Sequence, residues 1–206
     1  MPLPDLLPLF GSRAKAQEIL LLLQETKPVV RQGFYPHEIQ KIQQFCRKND
    51  LHLVISKFKV LLEDGPERSP GSAQPNYSNR GLRIPEQDHR PGLYFVYFSK
   101  EEKKALLAAY YEQIGNDLDL GRSLGYPECC VDFFAQNFSE KNSDLQLLST
   151  NPYTNLSKRK QDYVLLSHFP CKSECSESIM LAKKYLEVLM RVDSQWGNEL
   201  FHNLSI

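Results

Sequence analysis

Two short segments contain four of the five cysteines of this chain, and they constrain the fold more than any other feature. The first covers residues 125–130 and reads GYPECC; the second covers residues 168–175 and reads HFPCKSEC. Each places an aromatic residue and a proline before a cysteine, and each leads into an amphipathic run. We therefore predict that the two segments form the two halves of one centre based on thiol chemistry.

The first segment has the features of a helix start. If Pro127 takes the first helical position, Cys129 and Cys130 lie in the first turn, where unpaired N–H groups and the helix dipole favour thiolate over thiol. The helical spacing of the apolar residues that follow turns Cys130 towards the interior, and Cys129 then points about 100° away. We expect Cys130 to have the buried role, and only one of the pair needs to serve the centre.

The second segment begins the longest amphipathic helix that the sequence predicts. Cys175 is at its buried end, Cys171 comes four residues earlier, and His168 precedes Cys171 by three. Cys171 stacks over Cys175 if this turn is helical, or approaches it from a loop if the chain is extended. Ser178, one turn after Cys175, either bonds a sulfur or bonds its own helix backbone. The candidate metal ligands are Cys129, Cys130, His168, Cys171 and Cys175, with His168 as a fourth ligand or a supporting partner.

Thiolate and imidazole ligands suit zinc or an iron–sulfur cluster. The leading hypothesis is a metal or iron–sulfur centre in a small redox or modifying enzyme. A reversible disulfide in a non-enzymatic regulator or adaptor is the first alternative, and a structural zinc module in a partner-binding protein is the second. A fourth interpretation treats the cysteines as small buried hydrophobic residues at helix starts.

Composition limits the class of protein and its partners. Hydrophobic residues make up 41% and charged residues 24%, as in a soluble globular protein. Lys plus Arg (25) equals Asp plus Glu (25), so no global charge attracts nucleic acid or an anionic membrane. The first residues lack the features of a signal peptide, and the apolar run 19–23 is too short to span a bilayer. We expect a cytoplasmic protein, in which clustered cysteines more often bind metal or catalyse than form disulfides.

The pattern of apolar residues predicts an α+β fold with two lobes. Residues 1–98 form an N-terminal lobe in which a short sheet packs on helices, and residues 99–206 form an all-helical lobe that carries the cysteine motifs. Strands at 51–62 and 93–98 pair antiparallel, and residues 1–11 form a surface arm. Helices begin at Ser12 and Pro36 and, in the second lobe, cover about 99–114, 127–138, 158–167, 174–192 and 195–203.

A long loop at residues 63–92 separates the two strands, and its five prolines argue against a helix or a central strand. Arg80 and Arg83 lie in this loop, and Arg122 precedes the first cysteine segment. Guanidinium groups bind carboxylates and phosphates, so these three arginines are candidate contacts to a small anionic substrate. The loop is a surface excursion, a lid over the site or a docking segment for a protein partner.

The motifs resemble those of an uncharacterised prokaryotic family, a domain of unknown function. The resemblance is carried by residues 124–134 (LGYPECCVDFF), residues 167–171 (SHFPC) and Cys175, and covers roughly residues 118–190. It implies a bacterial or archaeal cytosolic protein in which these cysteines occur together. It implies no activity, since the family has none assigned.

Overall fold

The computed structural model describes residues 3–62, 77–78, 81–139 and 142–205. Over these ranges the chain has an α+β fold with eight α-helices and a five-stranded antiparallel sheet, which confirms the predicted fold class. None of the helices in these ranges is long and apolar enough to cross a membrane. The helices are α1 Leu3–Phe10, α2 Arg13–Leu23, α3 Pro36–Lys48, α4 Glu102–Gln113, α5 Asp117–Ser123, α6 Glu128–Asn137, α7 Ser176–Val192 and α8 Ser194–Leu204. The strands are β1 Val30–Phe34, β2 His52–Leu62, β3 Tyr77–Ser78, β4 Gly81–Pro85 and β5 Leu93–Ser99.

The strands follow the order β1-β5-β2-β4-β3 across the sheet. The predicted antiparallel pairing of β2 with β5 is confirmed. A bulge interrupts this ladder between Ile55 and Lys59, and the Ser56 hydroxyl there accepts a hydrogen bond from the Phe95 N–H at 3.1 Å. The side chain thus satisfies a backbone donor that would otherwise be left without a partner inside the sheet.

Both faces of the sheet are covered, which explains the unbroken apolar run of β5. Val96 and Phe98 face a large core built from α1, α2, α3, α7 and α8. Phe95 and Tyr97 face the opposite way, into a smaller core with residues of α4 and α5. Alternate residues of one strand therefore belong to different cores. The larger core joins residues from both halves of the chain.

Residues 3–10 form a helix, so the prediction of a surface arm is wrong. Leu3, Leu6 and Phe10 are buried in the larger core, at the spacing of one helical face. Prolines early in the segment suggested irregular structure. Pro4 lies in the first turn, however, where a missing N–H costs no helical hydrogen bond, and burial of the apolar face outweighs the hydrogen bond that Pro8 removes inside the helix.

Two further predictions need correction. The helix expected at 158–167 is absent from these described residues, which contain only a 3₁₀ turn, Arg159–Gln161, ended by Asp162 with a left-handed φ of 67°. The following segment is irregular and buries Val164 against α2, where its carbonyl accepts a hydrogen bond from Gln17. Within the predicted loop 63–92, residues 81–85 form β4 and pair with β2. Pro85 is the last residue of β4, so it interrupts little of the ladder. Residues 63–76 and 79–80 lie outside the described residues.

Candidate metal centre

A tight turn between α5 and α6 positions the first pair of cysteines. Gly125 has a left-handed φ of 77°, and a Cβ at this position would lie 2.8 Å from Pro28 Cδ. Only glycine combines this backbone conformation with such close contact. Pro127 then caps α6, so that Cys129 and Cys130 lie in its first turn. The predicted helix start is therefore confirmed, with Pro127 one position earlier than expected.

The second pair of cysteines comes from a loop and a helix cap. Cys175 is the N-cap of α7, and Cys171 precedes it in irregular backbone. Cys171 therefore approaches Cys175 from a loop, one of the two arrangements that the sequence left open, although residues 172–175 form a turn and are not extended. The loop is held by Thr154, whose hydroxyl donates to the Ser173 carbonyl at 2.7 Å, and by an Asn151–Glu174 hydrogen bond of 3.0 Å.

The four sulfur atoms converge. Cys175 Sγ lies 3.6 Å from Cys129 Sγ and 3.7 Å from Cys130 Sγ, and the sulfurs of Cys129 and Cys130 are 3.9 Å apart. The ligand atoms of all four cysteines, Cys171 included, lie within 4.8 Å of one another. In a tetrahedral site with metal–sulfur bonds of about 2.3 Å, the sulfurs are about 3.8 Å apart. The cluster can therefore hold a metal ion.

Both members of the vicinal pair join the cluster, although the sequence required only one. Cys130 has the expected buried position, with 2% of its surface exposed, and Cys175 is equally buried. Cys129 is exposed, and Cys171 is half-buried. The cluster thus has a buried side formed by Cys130 and Cys175 and an outer side formed by Cys129 and Cys171.

The thiols differ in acidity. Burial, followed by the hydrogen bonds with Cys175 and Cys171, raises the pKa of Cys129 to about 11, and burial raises the pKa of Cys130 as well. The prediction that the helix start lowers both values is therefore wrong for the metal-free protein, because burial outweighs it. Burial also acts on Cys175, but hydrogen bonds from the Ser178 hydroxyl and N–H and from the neighbouring thiols lower its pKa to about 7.

His168 contacts the cluster through Ser178. Its Nε2 lies 2.9 Å from Ser178 Oγ, which lies 3.2 Å from Cys130 Sγ. The Cys171 N–H also donates to Cys130 Sγ, at 3.4 Å. Burial, together with the positive charges of Lys27 and Arg159, lowers the pKa of His168 to about 3, so the ring is neutral. This geometry fits the supporting role foreseen for His168, and Ser178 bonds a sulfur, one of the two roles that the sequence allowed.

A buried lysine that sequence reasoning missed ties the two motifs together. Lys27 donates to the Glu18 carboxylate and to Ser167 Oγ, the latter at 2.6 Å. The Tyr126 hydroxyl, from the first motif, donates to the same Ser167 oxygen at 3.2 Å. The Tyr126 ring lies 4.9 Å from that of His168. Lys27 is distant in sequence from Ser167, and no local pattern marks this pairing.

The three candidate arginines have different surroundings. Arg122 is exposed and forms ion pairs with Glu128 and Asp119, which compensate its charge. Arg83 is half-buried and lines a cavity of about 700 Å³ that also has Cys130 and His168 in its wall. Arg80 lies outside the described residues. The cavity and the cysteine cluster are therefore adjacent. Of the three candidate arginines, Arg83 is the one that lies in the predicted loop and also lines this cavity.

The fold and the site define an α+β protein with a four-cysteine centre between two helix starts. Residues 106–194 match the model of a family described as "Protein of unknown function (DUF483)", which confirms the resemblance to an uncharacterised family. This match includes all four clustered cysteines and His168. Searches of curated proteins and of solved structures found no significant match.

Proposed function

We propose that this chain binds one zinc ion through Cys129, Cys130, Cys171 and Cys175. The observation that carries the proposal is the set of three sulfur–sulfur separations between 3.6 and 3.9 Å, which match the edge of a tetrahedron around one ion. Four thiolates fill the coordination sphere of zinc and leave no open position. Such closed sites have structural roles.

A single ion suits this geometry better than the iron–sulfur cluster of the leading sequence hypothesis. In a [4Fe–4S] cluster each thiolate binds a different iron and points away from the cluster centre. The sulfurs must then be farther apart than ligands that share one ion. The short separations between Cys129, Cys130 and Cys175 therefore favour one tetrahedral ion.

The ion would join α6 to the start of α7. Helix α6 supplies Cys130, Val131 and Phe134 to the wall of the adjacent cavity, and the segment 167–169, which precedes the second pair of cysteines, supplies a further part of that wall. The start of α7 contacts α6 through the Cys175 sulfur and through the Ser178–Cys130 hydrogen bond, so loss of the ion would weaken this junction. The proposed function is therefore a structural metal site that shapes this cavity.

Cobalt substitution tests the proposal. Metal-free protein prepared under reducing conditions is titrated with Co²⁺ and followed by absorption spectroscopy. A single equivalent that produces sulfur-to-cobalt charge-transfer bands and intense tetrahedral d–d bands, both displaced by one equivalent of Zn²⁺, is the expected result. Weak octahedral spectra, or no endpoint at one equivalent, would contradict a tetrathiolate site.

Acid is expected to weaken metal binding. The pKa of Cys129 is raised to about 11 and that of Cys130 is also raised, so both carry protons near neutral pH. At least these two protons must leave when the ion binds. Each released proton makes the apparent association constant for the metal rise tenfold per pH unit. The apparent association constant should rise by a factor of about 100 or more per pH unit between about pH 7 and pH 9. Competition with a chromophoric chelator measures it, and a pH-independent constant would contradict thiolate ligation.

Replacing Ser178 with alanine is expected to weaken metal binding without abolishing it. Ser178 is fully buried and links His168 to Cys130, so the substitution removes a hydrogen bond to a ligand sulfur. Loss of such outer contacts typically costs about 10–100-fold in metal affinity. The exposed Ser176→Ala is the matched control. Equal affinities in S178A and S176A would show that the His168–Ser178 pair does not support the centre.

A thiol/disulfide couple is the second candidate. It is favoured by the 3.6 Å separation between the sulfur of Cys129, which is exposed, and the sulfur of Cys175, which is buried. In metal-free protein, a small disulfide such as oxidised glutathione would exchange with Cys129. The Cys175 thiolate would then attack the Cys129 sulfur, so that one protein disulfide forms and two glutathione thiols are released. Mass spectrometry after alkylation checks for a Cys129–Cys175 bond. If both residues remain alkylated at every glutathione ratio, the couple does not exist.

A further inference from the structure

The cavity beside the cysteine cluster has the size of a small-molecule site. Its volume of about 700 Å³ lies within the range of about 300–1,000 Å³ that is usual for such sites. It lies between α4, α5 and α6, the strands β1 and β4, and the segment at residues 167–169. Polar and apolar side chains both contribute to its wall, and the two groups have separate roles.

The polar part of the wall contains two guanidinium groups: Arg31 forms an ion pair with a carboxylate, and Arg83 does not. Glu112 binds Arg31 through two hydrogen bonds of 2.5 Å and also accepts one from the Tyr97 hydroxyl at 2.6 Å. Arg83 instead donates to the Glu112 carbonyl at 3.0 Å, and its guanidinium carbon lies 3.5 Å from the centre of the Phe58 ring. Among the residues that the structure describes, Arg83 has no carboxylate within ion-pair distance.

These contacts hold the Arg83 guanidinium in place without an ion pair to a carboxylate, and burial lowers its pKa despite the nearby charges of Glu112 and Asp117. The other carboxylate in the wall is Asp117, which forms no ion pair with Arg83; burial, followed by the charge of Glu112, raises the pKa of Asp117 and disfavours its ionised form. A guanidinium that is already oriented and partly desolvated binds an anionic group at a lower entropic cost than a free surface arginine.

The apolar part of the wall is aromatic. The Phe134 ring lies nearly parallel to the Phe138 ring, with centroids 4.5 Å apart, and to the Phe169 ring, at 6.4 Å. Leu120 and Val131 complete this side. Parallel aromatic faces beside aliphatic side chains suit a flat apolar body.

We propose that the cavity binds a small organic anion, a carboxylate, sulfonate or phosphate attached to an apolar body of one or two rings. Arg83 contacts the anionic group, and the phenylalanine layer covers the body. This site goes beyond the metal-binding function and does not depend on which metal the cysteines hold. The sequence analysis named three arginines as candidate contacts to an anionic substrate, and the proposal gives this role to Arg83.

Two fluorescent probes that differ in charge test the proposal. 8-Anilinonaphthalene-1-sulfonate carries an anionic group on an aromatic body, and N-phenyl-1-naphthylamine lacks that group. Fluorescence titrations on the purified full chain, with its metal content measured in the same samples, should show the sulfonate binding about tenfold more tightly or better, the usual value of a charge-assisted hydrogen bond. Arg83→Gln should remove this preference, and Arg122→Gln should keep it.

Equal affinity for the two probes, an unchanged preference in R83Q, or the same loss in R122Q would each overturn the proposal. Failure of both probes to bind would overturn it as well. A second measurement needs no substitution: nuclear Overhauser contacts between the naphthyl protons and the rings of Phe134, Phe138 and Phe169 are expected. Contacts to other rings instead would place the probe elsewhere and refute the assignment. Because metal content is measured separately, failure of this site is distinguishable from failure of the metal centre.

Discussion

Replacing Cys175 with serine is expected to abolish tight metal binding and to destabilise the fold. Cys175 has short contacts with both members of the vicinal pair, 3.6 Å to Cys129 and 3.7 Å to Cys130, so it is central to the cluster. Removal of a direct ligand should lower the affinity by more than the roughly 10–100-fold that outer contacts contribute. Metal that binds only the folded state adds its binding free energy to stability, so the melting temperature should fall with the metal content.

Cys46 provides the matched control, because it is the fifth cysteine and lies in the larger core, away from the cluster. Cys46→Ser is expected to retain one metal ion per chain, even though replacing a core residue lowers the stability of the fold. Elemental analysis after gel filtration gives the metal content per chain of both variants and of the wild-type chain. If C175S and C46S hold the same amount of metal, the four-cysteine assignment is wrong.

Replacing Lys27 with methionine is expected to destabilise the fold strongly. Only 1% of the Lys27 side chain is exposed, and its partner Glu18 is 17% exposed. Breaking a buried ion pair leaves an uncompensated charge and typically costs about 3–5 kcal/mol. The change also removes the donor that holds Ser167, next to His168. Urea denaturation gives the change in the free energy of unfolding.

Two comparisons show whether burial of the Lys27–Glu18 pair causes the loss of stability expected in K27M. The Lys100–Glu25 pair is exposed, so Lys100→Met should cost about 1 kcal/mol or less. The double variant K27M/E18Q removes both charges of the buried pair and should recover much of the stability lost in K27M. A cost for K27M no larger than that for K100M would contradict the account of this network.

The cysteine site could largely be predicted from sequence, because its signals are local. Pro127 before Cys129 and Cys130 marks a helix start, and the apolar stripe after Cys175 marks another. The buried position of Cys130 followed from helical spacing alone. The participation of Cys129 could not be derived in this way, since it depends on Cys175 approaching from a different helix to 3.6 Å.

The supporting residues were harder to predict because their partners are distant in the chain. The Lys27–Ser167 hydrogen bond spans 140 residues, and no motif marks it. In the fold, α1 was missed because Pro4 and Pro8 resemble loop signals, although the first turn tolerates Pro4 and burial of the apolar face of the helix outweighs the cost of Pro8. The irregular segment around Val164 was expected to be helical, but its burial against α2 outweighed local propensity.

The metal content and coordination of the protein, purified anaerobically without added metal, test the four-cysteine zinc site most directly. One zinc ion per chain, with four sulfur neighbours at about 2.3 Å by X-ray absorption spectroscopy, is the result expected for a tetrathiolate site. Iron with acid-labile sulfide in stoichiometric amounts would contradict the single-ion assignment in favour of a cluster. A chain that retains no metal and binds none on reconstitution would contradict the metal centre itself.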